Sequence, residues 1–438
     1  MWFKPKAPRG SRKDQNRFHV ELLEGRALPS ASLPDLSTST TIDLGATPTS
    51  SVAADFNADG KLDIATTISG GLVSISLGNG DGTFQTPLTF AADTAAKTSE
   101  AISIAVGDFN GDNKPDIVTS NFGNNRVSVL LNTSSGGTLN FAAPVSYGAG
   151  TDTVAVAVAD LNGDNKLDLV TANIGAEAKS SLGVLLGNGD GTFQPVTFVA
   201  AGANPNNLAI GDLNGDNIPD LAVTYSANTG LTANKVGVLL GKGDGTFGIP
   251  TLISVGETPS SVTMADFNGD HKLDLAVTNF NSGTVSILLN NGNASFTTKK
   301  AGTYDVGGKP LSAVAADFNG DGKMDLAVAS QGTDQVTILL GNGNGTFHSG
   351  SKKQLVINLS GTPAGEMAVG DFNGDSLPDL AVPIVENGTL DVFLSHAKKP
   401  PKPINHGHNP PPPQAHGHPQ VPSQALMHAN SHARFKRS

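Results

Sequence analysis

The sequence contains no cysteine, which excludes disulfides, thiolate metal sites and a cysteine nucleophile. Aromatic residues make up only 5% of the chain, with a single tryptophan, and charged residues 15%. No apolar run reaches the roughly 18 residues that a membrane-spanning helix needs. Stability must therefore come from packing or from bound hard cations.

Glycine, in contrast, is abundant, with 52 copies in 438 residues. This composition is typical of many short strands joined by tight turns, and it predicts an all-β protein. A chain of this length has room for two or three ordinary domains, but an internal repeat overrides that expectation.

The formal net charge of −11 is unevenly distributed. Residues 1–36 carry +3 and residues 396–438 carry +6, which leaves −20 on residues 37–395. A segment this acidic repels itself unless cations bind to it.

One nonapeptide recurs seven times, and its copies start at Asp55, Asp108, Asp160, Asp212, Asp266, Asp317 and Asp371. A strand of small residues precedes each copy, and two apolar strand-like stretches follow it, as at 273–279 and 284–290. A Gly/Asn turn that closes on Phe comes next, for example GNGDGTF at 78–84, and then a more variable strand. Each unit of 51–54 residues therefore holds four strands.

Seven such units predict a seven-bladed β-propeller of four-stranded antiparallel blades. Three alternatives do not fit the repeat. A β-helix would need shorter coils, and a helical solenoid would need a 3.6-residue period. An array of sandwich domains would need about 90–100 residues per unit. The seventh unit has no fourth strand, and we expect TTIDLG (40–45) to complete it and close the ring. The predicted organisation is a largely disordered leader over 1–36, the propeller over 37–396 and a tail over 397–438.

The repeated motif reads D-x-N-x-D-x-x-x-D, with oxygen-bearing side chains at positions 1, 3, 5 and 9. This spacing lets a curled loop direct several hard oxygens at one Ca²⁺, with a backbone carbonyl from position 7, whereas Mg²⁺ demands a stricter octahedron. The predicted ligands of up to seven Ca²⁺ ions are Asp55, Asn57, Asp59, Asp63, Asp108, Asn110, Asp112, Asp116, Asp160, Asn162, Asp164, Asp168, Asp212, Asn214, Asp216, Asp220, Asp266, Asn268, Asp270, Asp274, Asp317, Asn319, Asp321, Asp325, Asp371, Asn373, Asp375 and Asp379.

The alternative is that these segments are only turns, because Asp, Asn and Gly all favour turns. Position 6 argues against it, since it varies through Gly, Asn, His and Ser while the four oxygen positions never change. The motif is not an EF-hand, because position 12, where that motif has Glu, holds Thr or Val. Three carboxylates per loop would repel without a metal, so we expect metal binding to be coupled to folding.

The stretches DFNGDGKMDLAV (317–328) and LLGNGDGTF (185–193) resemble the FG-GAP/VCBS repeats of integrin α-subunit propellers and many bacterial surface proteins. The resemblance covers about 40–395, and it implies a seven-bladed propeller with Ca²⁺ held at motif positions 1, 3, 5 and 9. Integrin propellers usually carry the metal loop in only some blades. The presence of all seven here favours a structural role for the metal.

The two ends differ from the repeats. Residues 17–31 resemble the N-terminal segment of predicted exported proteins of planctomycete bacteria, although they lack the usual apolar core of a secretory signal. The tail is rich in Pro and His and is expected to be disordered, with a passive role preferred over metal binding.

These features predict an exported, extracellular or cell-surface, monomeric scaffold or adhesion module for a protein or glycan partner, without a transmembrane segment. A lectin is the first alternative, although the scarcity of Tyr and Trp disfavours it; a Ca²⁺-dependent polysaccharide lyase is the second. No enzyme motif or nucleic-acid motif occurs, His271 at the variable sixth position is interpreted as exposed, and no catalytic residue is predicted. Asp81, Asp190 and Asp244 in the Gly/Asn turns are interpreted as hairpin residues.

Overall fold

The computed structural model describes residues 33–93, 100–175, 182–226, 230–297, 302–348 and 354–396. These residues form twenty-nine β-strands and no helix, so no membrane-spanning helix occurs among them. Residues 1–32 of the predicted leader and the whole predicted tail, 397–438, lie outside the described residues.

The strands form seven antiparallel sheets, one per repeat, as predicted. The innermost strand of each sheet precedes an aspartate motif and is rich in Ala, Ser and Gly, because backbones crowd near the axis. The first six inner strands pack successively against each other, and the seventh contacts the first. The inner strands are β2 (Pro48–Ala54), β6 (Glu100–Gly107), β10 (Thr153–Ala159), β14 (Pro205–Gly211), β18 (Pro259–Ala265), β23 (Pro310–Ala316) and β27 (Ala368–Gly370).

The second and third strands of each blade are buried on both faces, which explains their nearly continuous apolar sequences. The second strands are β3 (Asp63–Ile68), β7 (Asp116–Phe122), β11 (Asp168–Asn173), β15 (Asp220–Tyr225), β19 (Asp274–Asn279), β24 (Asp325–Ser330) and β28 (Asp379–Ile384). The third strands are β4 (Leu72–Ser76), β8 (Arg126–Leu130), β12 (Leu182–Leu185), β16 (Lys235–Leu239), β20 (Thr284–Asn290), β25 (Gln335–Leu339) and β29 (Thr389–His396).

The outer strands are partly exposed, and all except the N-terminal one are short, in agreement with their variable sequences. They are β5 (Leu88–Ala91), β9 (Val145–Gly148), β13 (Thr197–Val199), β17 (Thr251–Ser254), the pair β21 (Phe296–Thr297) and β22 (Thr303–Asp305), β26 (Gln354–Asn358) and β1 (Asp35–Asp43). Blades 1 to 6 run in chain order from β2 to β26. Blade 7 consists of β27, β28, β29 and β1.

The N-terminal strand closes the ring, which confirms the prediction. β1 pairs antiparallel with β29, with Thr40 opposite Val392 and Asp35 opposite His396. The strand begins at Asp35, five residues before the predicted stretch. Closure also buries Ile42 in a core cluster with Ile64 of blade 1 and Val392 of blade 7.

Antiparallel order sorts the connections onto two faces. The seven aspartate motifs join the first strand of a blade to the second. We name them loops 1 to 7 in chain order: 55–63, 108–116, 160–168, 212–220, 266–274, 317–325 and 371–379. The Gly/Asn turns, which join the third strand to the fourth, lie at the same end. We call this end the Asp-loop face. Hairpins between the second and third strands lie at the other end, the hairpin face.

Candidate metal centres at the joints between blades

Each loop is folded by hydrogen bonds from its own backbone to its acidic side chains. In loop 2, Asp108 Oδ1 accepts the Gly111 N–H at 2.7 Å, and its Oδ2 accepts the Asn113 N–H at 2.7 Å. Asn110 Oδ1 accepts the Asp112 N–H at 2.9 Å. In all seven loops the carboxylate at position 1 accepts the backbone N–H groups of positions 5 and 6. The amide oxygen at position 3 accepts the backbone N–H of position 5. The oxygen positions that the sequence singled out therefore shape the loop as well.

Positions 4 and 6 of every loop have left-handed backbone, which Gly and Asn adopt most readily. Position 4 is Gly in six loops and Ala58 in loop 1, with φ of 59°. The sixth residues have φ between 61° and 83°; they are Gly60, Asn113, Asn165, Asn217, His271, Gly322 and Ser376. Position 6 therefore varies within the limits of one backbone conformation, and His271 is exposed there, as predicted.

The ninth residue of each loop, always Asp, is the first residue of the second strand and is fully buried. Its Oδ1 accepts an N–H from the end of the third strand at 2.7–2.8 Å. In six loops its Oδ2 accepts the N–H of position 2 at 2.8–3.1 Å. This carboxylate therefore ties three segments of one blade together. The sequence signal for this structural role is the invariant Asp directly before an apolar strand, a signal that its interpretation as a ligand does not include.

Burial raises the pKa of these ninth carboxyl groups well above the usual 3.8. The pKa is about 6 in loops 1 to 4, about 7 in loops 5 and 7 and about 8 for Asp325 in loop 6. Hydrogen bonds from backbone N–H groups oppose the shift. The carboxylates at positions 1 and 5 of the same loop add to it by repulsion. Each loop therefore concentrates negative charge that a divalent cation would relieve.

The donor set fits Ca²⁺ chemically, because three carboxylates and one amide oxygen lie within each nine-residue loop. In the described residues, however, no three acidic or histidine side chains stand in an arrangement that holds an ion. The carboxylates are instead held by backbone N–H groups. A loop that binds Ca²⁺ would therefore have to draw its oxygens inward, and the four ligands per loop stay a prediction.

Position 7 contributes a lysine in five loops. Its ammonium group lies 3.1–3.8 Å from the carboxylate at position 5. Both partners are partly exposed, and such pairs are worth only about 0–1 kcal/mol. Loops 4 and 7 have Ile218 and Leu377 instead.

The loops also form the joints between blades, a role that the sequence analysis missed. The Gly82 N–H in the blade 1 turn donates to the Phe372 carbonyl of loop 7 at 2.9 Å, and the Gly191 N–H of blade 3 donates to the Phe109 carbonyl of loop 2 at 2.8 Å. Blades 4, 5 and 6 repeat this bond, and in blade 2 Asn132 Nδ2 donates to Phe56 O at 2.8 Å. At four joints the Phe side chain that ends the turn packs edge-on against the Phe side chain at position 2 of the preceding loop. These pairs are Phe141–Phe56, Phe193–Phe109, Phe347–Phe267 and Phe84–Phe372.

The aspartates of the Gly/Asn turns serve the hairpins, as predicted. Asp81 Oδ1 accepts the backbone N–H of Thr83 at 3.0 Å and its hydroxyl at 2.6 Å. Asp190 and Asp244 make the same two bonds, and Asn344 makes them in blade 6. These side chains therefore stabilise turns.

The axis of the ring encloses a cavity of about 40 Å³ lined by the inner strands. Glu366 reaches across from blade 7, and its Oε1 accepts a hydrogen bond from Asn207 Nδ2 of blade 4 at 2.9 Å. One water needs about 10–15 Å³ of such space, so the cavity has room for a few waters.

Two solved structures share the fold. They are crystal structures of BBS1N in complex with ARL6DN, one soaked with lead and one with mercury. Each matches this chain with a TM-score of 0.55 and covers 84% of it. The matches cover 97% and 98% of the other chain, and the sequence identities are 12% and 13%. No curated protein matches the sequence.

The model of the FG-GAP-like repeat matches six overlapping or adjacent segments, namely 55–119, 108–171, 174–223, 225–277, 266–328 and 317–382. Four of the six run from one Asp loop into the strand that follows the next loop. These matches cover more than half of the sequence, and the chain therefore belongs to the FG-GAP-like repeat family.

Proposed function

We propose that this propeller is an exported, Ca²⁺-stabilised scaffold that binds a protein partner. The observation that carries the proposal is that one face of the propeller is repeated and the other is variable. The Asp-loop face repeats the same joint around the ring, which suits a structural role. The hairpin face differs in length and sequence from blade to blade, which suits recognition.

Calcium is proposed for the Asp loops because their carboxylates repel one another at the blade joints. An ion at a joint would neutralise that charge beside the Gly/Asn turn of the next blade, so it would stabilise the ring rather than take part in chemistry. The acidic balance of residues 37–395 supports the same role.

A protein partner is favoured over a glycan. The structural neighbours are described as complexes with another protein, ARL6DN, and their likeness to this chain lies in the fold. Sugar sites commonly use aromatic platforms, and this chain has three Tyr and one Trp, with Tyr225 fully buried. We therefore propose a binding module without enzymatic activity. Export rests on the resemblance of residues 17–31 to exported proteins.

Two measurements on the full chain test the proposal. Thermal melts with Ca²⁺ and with chelator, together with calorimetric titration, should show a large rise in melting temperature and several bound ions. No shift and no binding would mean that the loops are only turns.

Partner binding is tested separately. Surface and secreted proteins captured by the immobilised chain would be purified and retested against the wild type and a variant with Leu231→Ser on the hairpin face, where Leu231 is 88% exposed. We expect a purified protein to bind directly and the variant to bind more weakly. A glycan array that gives the only hits would favour the lectin instead.

A further inference from the structure

Loop 6 differs from the other six loops at its ninth residue. In those loops Oδ2 of the ninth Asp accepts the N–H of position 2. In loop 6, Asp325 keeps the bond from the Gly341 N–H to Oδ1 at 2.7 Å, but its Oδ2 is buried without a hydrogen-bond partner. The Phe318 N–H lies near this carboxylate but outside hydrogen-bonding geometry.

The surroundings of loop 6 also differ. Blade 7 has no Gly/Asn turn, because its third strand runs on to His396, and within the described part of the chain no N–H of blade 7 donates to the Phe318 carbonyl. Leu377 of loop 7 lies against loop 6 instead, and a Cβ on Gly320 would be 3.1 Å from its Cδ2. The polar cover found at the other joints is thus partly replaced by an apolar side chain.

Loop 6 is also less exposed to water at its fifth position. The Asp321 side chain at position 5 is 18% exposed, whereas its counterparts in loops 1, 2, 3, 5 and 7 are 30–37% exposed. Attraction between a cation and a carboxylate is stronger where water is excluded. Loop 6 therefore combines an unpartnered buried oxygen with the least exposed fifth carboxylate in this set.

We propose that loop 6 is the tightest Ca²⁺ site of the ring. This inference rests on the proposed binding of Ca²⁺ by the loops. In six loops both oxygens of the ninth carboxylate already accept an N–H, whereas Asp325 Oδ2 accepts none and can take a cation as its partner. Leaving a buried acceptor unpaired is costly enough that its relief corresponds to about tenfold tighter binding.

Calorimetric titration of the metal-free full chain with Ca²⁺ alone provides the test. We expect one site about tenfold tighter than the rest. Asp325→Asn should remove this first phase. Asp274→Asn in loop 5 is the matched control, because that loop also has Phe at position 2 and Lys at position 7, and it should keep the tight phase. A tight phase that survives Asp325→Asn, or that disappears with Asp274→Asn, would overturn the assignment.

Melting the two variants adds a second readout, the melting temperature with and without Ca²⁺. In chelator, Asp325→Asn should melt at a higher temperature than Asp274→Asn, since Asp274 loses an acceptor for the Phe267 N–H and Asp325 has no such bond to lose. In excess Ca²⁺ the order should reverse. An unchanged order in both conditions would contradict the proposal.

If a ninth-position variant fails to fold, Asp321→Asn and its control Asp270→Asn replace the pair, because both carboxylates lie at position 5, outside the strands. The same loss of the tight phase is expected for Asp321→Asn alone. Seven equal sites would refute this inference and leave the proposed calcium scaffold intact. No Ca²⁺ binding would refute both.

Discussion

The Asp-loop face and the hairpin face are built from the same blades, yet the first is nearly the same in every blade and the second varies. On the Asp-loop face the backbone conformation, the ninth carboxylate and the contact with the next blade recur around the ring, with loop 6 as the main departure. On the hairpin face the connections range from the three residues 69–71 to the longer segment between Tyr225 and Lys235. Connections that meet the same partner at every joint keep one sequence pattern, whereas connections without such a repeated partner vary in length and sequence.

The largest expected effect is the pH dependence of the ninth carboxyl groups. Their folded pKa of about 6 to 8 exceeds the unfolded value of 3.8, so the folded state binds more protons than the unfolded state between these limits. In chelator the chain should therefore lose stability as pH rises from 5 to 8, with a fall in melting temperature of about 5–10 °C. Added Ca²⁺ should restore stability at pH 8 and have little effect at pH 5. A melting temperature in chelator that stays flat or rises over this range would contradict the account.

A pair of insertions tests the difference between the faces directly. Two residues, Gly-Ser, inserted between Gly70 and Gly71 extend a hairpin, and lengthening such a loop costs well under about 1 kcal/mol. The same insertion between Asn57 and Ala58 separates Asp55 from the N–H groups of loop 1 and should cost roughly 3–5 kcal/mol. Urea denaturation measures both. Equal costs would show that the Asp-loop face has no special structural role.

The tight contact at a joint is tested by Gly82→Ala. Gly82 has φ of 82°, and a Cβ there would lie 2.2 Å from Leu394 Cδ1 of blade 7. Gly45→Ala is the control, because Gly45 has φ of 75° and nothing within 4 Å of its Cβ position. Both changes carry a backbone cost of about 1–2 kcal/mol, and the clash should add about 1–3 kcal/mol at Gly82.

One blade already has alanine at the position of Gly82. Ala294 occupies this turn position in blade 5, and the neighbouring Leu240 of blade 4, the counterpart of Leu394, is 38% exposed. A Gly82→Ala variant no less stable than Gly45→Ala would mean that the joint repacks without strain.

The smallest expected effect is a gain in stability at loop 1. Ala58 is the one fourth position without glycine, and its φ is 59°. Ala58→Gly should raise the free energy of unfolding by about 1 kcal/mol, because glycine adopts this backbone without strain. Ala54→Gly in β2 is the control and should lower it by about 0.5–1 kcal/mol. A loss of stability at Ala58 would show that the loop does not need the left-handed backbone.

Repetition made much of this structure predictable. Seven copies of one motif, the strand patterns between them and the missing fourth strand of the last unit predicted the blades and the closing strand. The turn role of Asp81 followed from its neighbours alone. In these cases the determining interactions lie within about fifty residues of sequence, or between the two ends of the chain.

The sequence by itself therefore determined the number of blades, the closure of the ring and which oxygen-bearing residues share a loop. Only the tertiary structure revealed that the ninth aspartate ties the strands of its blade together, that each Gly/Asn turn caps the loop of the preceding blade and that Asp325 lacks a hydrogen bond that its six counterparts make. These features depend on which atoms meet across a blade or a joint. Seven nearly identical motifs cannot encode such contacts individually, because the difference at loop 6 arises from its neighbour, blade 7, which ends without a turn.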